Sequence, residues 1–149
     1  MLRAMFRTAV IVATLFAAAG FSSGALVGPA SAQSADEAAG IQLTIRSQIE
    51  AMQVDDWDRA FEYASPTIQG VFRNPENFSR MVTNGYPMVW RPKTYRAGAL
   101  TETPRGLMQT MIFEDRQGRL FIADYLMQEI DGEWRINGVS IRPAPTESA

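Results

Sequence analysis

The sequence contains no cysteine and no histidine. The first absence excludes disulfides, thiol nucleophiles and thiolate-held metals; the second removes the commonest general base and zinc ligand. Lys93 is the only lysine, and 14 basic side chains stand against 16 acidic ones. A net negative surface repels phosphate backbones, so nucleic acid is not an expected partner. No block of like charges marks an interaction tail. A metal would have to be held by carboxylates alone, and the cluster Asp55, Asp56 and Asp58 has neither the length nor the glycine of a calcium loop. No metal and no cofactor is therefore expected.

What is present begins with an export signature. Arg3 and Arg7 carry positive charge, residues 9–21 are almost wholly apolar, and Ala30-Ser31-Ala32 offers the small residues that signal peptidase accepts. The expected cleavage lies between Ala32 and Gln33. The 13 residues of the apolar run fall short of the roughly 20 needed to span a bilayer. No cysteine is available for lipidation, and no adjacent arginine pair marks the twin-arginine route. A periplasmic or extracellular bacterial product follows, touching the membrane only transiently during export. Removing 32 residues from 149 leaves 117, one domain's worth, and removing Arg3 and Arg7 leaves 12 basic against 16 acidic side chains. The expected organisation is a signal at 1–32, a single domain at 33–142 and a disordered tail at 143–149.

The remaining chain changes periodicity half-way, helical first and extended later, which predicts an α+β fold. Ser34-Ala35-Asp36-Glu37 reads as a capping box opening a helix with Ile41, Ile45, Ile49 and Met52 on one face. Asp55 or Asp56 caps a second helix with the stripe Trp57, Ala60, Phe61, Ala64. Ser65-Pro66 and Asn74-Pro75 each pair a capping side chain with proline at the first helical position. The two short helices that follow are expected to bury Ile68, Val71 and Phe72, then Phe78, Met81 and Val82, the second stopping at Gly85 in a left-handed cap. Pro87 and Pro92 predict a connector, with at most a short edge strand. Strands are expected at 94–102, 107–114, 119–130 and 133–142. Asp131-Gly132 supplies a two-residue hairpin turn, and Asn137-Gly138 a bulge. Short links predict an antiparallel meander. In the third strand both alternating sets are partly apolar, so both faces of the sheet should be at least partly covered, by helices on one side and by curvature, a ligand or a partner subunit on the other.

Helices followed by a curved sheet ending in Asp131-Gly132-Glu133-Trp134-Arg135-Ile136-Asn137-Gly138-Val139 resemble the nuclear transport factor 2-like superfamily, which includes the ketosteroid isomerases. Ala64-Ser65-Pro66-Thr67-Ile68-Gln69 and Gly85-Tyr86-Pro87-Met88-Val89-Trp90-Arg91-Pro92 resemble the signatures of a bacterial domain-of-unknown-function family within it, DUF4864. The resemblance implies helices packed on a curved antiparallel sheet of at least four strands, a cystatin-like cone with a pocket between sheet and helices. It implies no reaction.

Several residues are candidates for a site. Tyr86, Trp90 and Arg91 combine two aromatic rings with a guanidinium, suited to an anionic or aromatic ligand; the competing reading has the rings closing the core and Arg91 paired to a carboxylate. Asp124 interrupts an apolar strand. Facing a cavity, it would have a raised pKa and suit proton abstraction, with Gln109 or Tyr125 steadying an oxyanion; facing outward, it would pair with an arginine. Trp134 and the methionines Met81, Met108, Met111 and Met127 read as core. With no recognisable catalytic set, the leading expectation is a non-catalytic exported domain binding a small apolar or aromatic ligand or a protein partner. The alternatives are a ketosteroid isomerase-like isomerase or dehydratase with Asp124 as base, and a structural homodimer packed sheet to sheet.

Overall fold

Proline opens four of the five helices in the described residues. At the first helical position its missing N–H costs nothing and its fixed φ suits the helix. The computed structural model describes the backbone of residues 29–146 and the side chains of residues 34–146. The expected export signal lies mostly outside the described residues, as does the end of the tail.

Helix α1 (Pro29–Gln53) runs through the expected cleavage junction at Ala32 and Gln33, so Ser34 lies inside the helix and does not cap it. The buried face is the expected one: Ile41, Ile45 and Ile49 are fully enclosed, with Met52 beside them. Gly40 is needed there, because a Cβ would sit 2.9 Å from the Trp134 ring. Helix α2 (Trp57–Glu62) is capped by Asp56, whose carboxylate accepts from the Arg59 amide. It ends before Ala64, which instead forms a parallel bridge with Ile136. Ser65 caps α3 (Pro66–Phe72) and Asn74 caps α4 (Pro75–Gly85), both through side-chain oxygens. Phe78 and Val82 are buried as expected, but α3 buries no residue fully and Val71 is 67 % exposed. A seven-residue helix lying on the rim has one inward edge, and Ile68 and Phe72 take it. Gly85 closes α4 without a left-handed φ. The expected connector is a one-turn helix, α5 (Pro87–Trp90), because Pro87 starts a turn as readily as it blocks one.

The four strands are β1 (Thr94–Thr103), β2 (Gly106–Glu114), β3 (Leu120–Ile130) and β4 (Glu133–Pro143). They pair antiparallel in chain order. Asp131 and Gly132 both adopt positive φ in the β3–β4 hairpin. The register shifts where Leu126 faces Gly138 and Met127 faces Ile136, leaving Asn137 as the bulged residue. A second irregularity interrupts β1 between Ala97 and Leu100. Together they curve the sheet around the helices. Pro143 still pairs with Phe121, and the Ala144 amide donates to the Leu120 carbonyl, so the sheet holds the first residues of the expected tail.

Alternation along the strands decides what each face carries. Met111, Phe113, Ala123, Tyr125 and Met127 turn toward the helices and form the core with the α1 stripe. Phe78 centres an aromatic cluster, its ring 5.7 Å from Phe61, 5.7 Å from Phe72 and 6.3 Å from Trp57. The opposite face carries Thr110, Ile112, Ile122 and Asp124. It is less closed, with Leu120 at its end 48 % exposed.

Candidate functional site

The helices do not fill the concavity they cover. Between α1, α3, α4 and α5 on one side and the middle of β3 and β4 on the other lies a hollow of about 360 Å³. Tyr125, Ile136 and Ile141 form its sheet wall; Met52 of α1 and Phe78, Met81 and Val82 of α4 form its helical wall. Tyr86 and Val139 line it while remaining 38 % and 43 % exposed, so they mark its mouth. Among the described residues no charged side chain lines it.

Besides Tyr86 at the mouth, two buried polar side chains do. Gln48 of α1 is buried and donates its amide nitrogen to the Ala60 carbonyl at 3.1 Å. Tyr125 is buried to its tip, and its hydroxyl has no hydrogen-bond partner among the described residues. Burial pushes that phenol well above its usual range, so it stays neutral.

Two seams frame the hollow. At the first, the Ser65 amide donates to the Ile136 carbonyl at 2.8 Å, and the Ile136 amide to the Tyr63 carbonyl at 2.9 Å. The Ser65 hydroxyl donates to Asn137 Oδ1 at 2.7 Å while accepting from the Ile68 amide. Gln69 Nε2 reaches the Phe61 and Ala64 carbonyls, both at 3.1 Å. The corner between α2 and α3 is thereby tied to the β4 bulge. At the second, Asp55, in a left-handed conformation after α1, accepts from Trp90 Nε1 and from Arg91, each at 2.9 Å. The Arg91 guanidinium lies 4.2 Å from the Trp90 ring centroid, and Trp90 lies 6.2 Å from Trp57.

The candidate residues separate accordingly. Tyr86 stands at the mouth and Tyr125 in the wall. Trp90 and Arg91 do not line the hollow; they clamp Asp55. Gln109 is buried in the sheet, where its Nε2 donates to the carbonyls of Thr110, Gly98 and Ala99, the last two exposed by the β1 irregularity. Asp124 lies on the face away from the helices, held by Thr110 at 2.8 Å and by Arg142. Partial burial pushes its pKa up, but the hydrogen bonds from Arg142 and Thr110 outweigh that and hold it below the usual range. An acid so placed is a poor proton acceptor for anything in the hollow.

Residues 34–149 match the family described as Domain of unknown function (DUF4864). The chain belongs to that family. No curated protein matches it. The two segments that carry the family resemblance in this DUF4864 protein are the two that build the seams: Ser65 and Gln69 belong to one, Trp90 and Arg91 to the other. Among its described residues no helix is long and apolar enough to cross a membrane, and no group of histidine, cysteine or carboxylate side chains converges to hold a metal. Gln48 escaped sequence reasoning because glutamine on a helix is ordinarily exposed. The available signal was its position between Ile45 and Met52 on the apolar stripe.

Proposed function

We propose that this DUF4864 protein is an exported, non-catalytic binding domain of the nuclear transport factor 2-like kind, whose hollow takes a small apolar molecule. The observation that carries the reading is the hollow itself. Its volume, about 360 Å³, lies in the range of small-molecule sites, and its lining is apolar with a few polar groups. Ligand burial there would be driven by apolar area removed from water. A ketosteroid isomerase-like reaction is not supported, since among the described residues no carboxylate lines the hollow and Asp124 is engaged by Arg142 on the other side of the sheet. The bacterial, Sec-exported origin rests on the signal at 1–32.

Native mass spectrometry of the protein purified from its own host should reveal a retained small molecule. Nile red, an uncharged dye whose emission rises in apolar surroundings, should bind the purified protein, and Met81→Trp, which fills the hollow, should abolish the signal while the far-UV dichroism stays unchanged. Equal dye binding by Met81→Trp would overturn the reading.

The half-open outer face supports a second reading, a homodimer packed sheet to sheet through Ile112, Leu120 and Ile122. Light scattering at tens of micromolar decides it: a monomeric mass ends the dimer reading and leaves the hollow untouched.

A further inference from the structure

We infer that the hollow selects an uncharged ligand carrying a hydrogen-bond donor, and that the Gln48 amide oxygen is the acceptor that reads it. The inference rests on the binding reading above and adds the ligand's chemistry. Gln48 is only 4 % exposed and lines the hollow from α1. Its amide nitrogen is committed to the Ala60 carbonyl. That bond fixes which end of the amide is spent and leaves Oε1 as the free acceptor, with two lone pairs.

An acceptor in apolar surroundings is costly to leave unpaired once a ligand has displaced water from it. A ligand with a hydroxyl or N–H at the right place meets it; one with only acceptors, or none, strands it. The other polar side chains near the hollow are placed differently: Tyr86 stands at the mouth, 38 % exposed, where water still reaches it and no buried group is stranded. Ser65 and Gln69 are committed to the first seam. The Tyr125 hydroxyl is fully enclosed. Charge is selected against from both directions, because the lining has no cation to pair a carboxylate and no anion to pair an ammonium. The ligand class is therefore a neutral, mostly apolar molecule with one donor group, such as an aromatic or alicyclic alcohol.

Three probes that share one ring system isolate the chemistry: 2-naphthol, 2-methoxynaphthalene and 2-naphthoate, each competing with Nile red on the purified exported protein at pH 7. The naphthol should compete about tenfold more tightly than the methyl ether, the size of effect expected for one buried hydrogen bond. The naphthoate should not compete. Gln48→Met, which keeps length and removes the acceptor, should bring naphthol and methyl ether to equal affinity while dye binding persists. If Gln48→Met fails to fold, the wild-type ratio alone decides. Dye binding with equal competition by naphthol and methyl ether, or with competition by naphthoate, overturns this inference and leaves the binding reading standing. No dye binding at all removes both.

Discussion

On one side of the hollow Ser65 ties the helical layer to β4 from within the protein; on the other Asp55 ties it to α5 at the surface. The two seams do the same mechanical work with different physics. Ser65 is fully buried, uncharged and bonded through amide and hydroxyl, so its bonds carry no net charge for salt to screen. The side chains of Asp55 and Arg91 are 50 % and 44 % exposed, so their attraction works in a high dielectric and is screened by ions. The difference shows which edge of the hollow is held by solvent-screened charge and which is not. The bulge side is held by buried bonds, whereas the α5 side is held by an exposed ion pair, so under the proposed binding reading α5 is the edge to test for ligand passage.

The largest effect should come from breaking the first seam. Ser65→Ala removes the α3 cap, worth about 1 kcal/mol, and strips Asn137 of its donor, which adds about 1–2 kcal/mol for a partly buried group. Chemical denaturation should therefore show a loss of about 2–3 kcal/mol, and the loss should be the same in low and high salt. A change below about 0.5 kcal/mol would mean that the corner is held by packing alone.

That corner was largely legible beforehand, and the reason is local. Ser65-Pro66 and Asn74-Pro75 are cap signals that depend on adjacent residues, as are Asp131-Gly132 and the bulge at Asn137. Strand limits came out within a residue or so for the same reason, since alternation and turn residues are short-range. What was not legible depends on where an element sits. Val71 has the right spacing for a buried stripe, but α3 lies on the rim, so it faces water. Asp124 fits either face of β3 by composition, and only the register with Thr110 and Ser140 puts it outside. Trp90 and Arg91 stood out as a chemical cluster because their partner, Asp55, is 35 residues away in the chain. Gln48 went unseen because nothing in its neighbourhood shows that α4 and β4 leave a gap in front of it.

Acid sharpens the comparison, since neither Ser65 nor its partners titrate. The chain has no histidine, so stability should be flat between pH 8 and pH 5. Asp124 and Asp115 change that lower down. Burial raises Asp115, but the Arg119 amide and guanidinium and the Gln117 amide outweigh it and hold the carboxyl below its ordinary value of 3.8; Asp124 is lowered likewise. A carboxyl depressed in the folded state contributes stability that is complete above its unfolded pKa and is lost as pH falls through the folded one. Denaturation midpoints should accordingly drop below about pH 4, by less than Ser65→Ala removes. Asp124→Asn should shallow the drop; an unchanged acid slope in that variant would show that the Arg142 pair contributes nothing.

The smallest effect on stability should come from the second seam, and its value lies in what it does not disturb. Asp55→Asn keeps a residue that tolerates the left-handed φ of 57° and keeps an oxygen for Trp90 Nε1, while removing the charge that faces Arg91. An exposed pair of this kind is worth about 0.2–1 kcal/mol, so the unfolding midpoint should move little, and the difference from wild type should vanish in about 1 M salt. The rate of dye exit should respond more than stability does, because Val89, next to Trp90, and Tyr86, which caps the same one-turn helix, line the hollow. Stopped-flow dilution of dye-loaded protein measures that rate directly. If Asp55→Asn releases dye no faster than wild type at low salt, α5 is as permanent as the bulge, and the mouth must open at β4 around Val139.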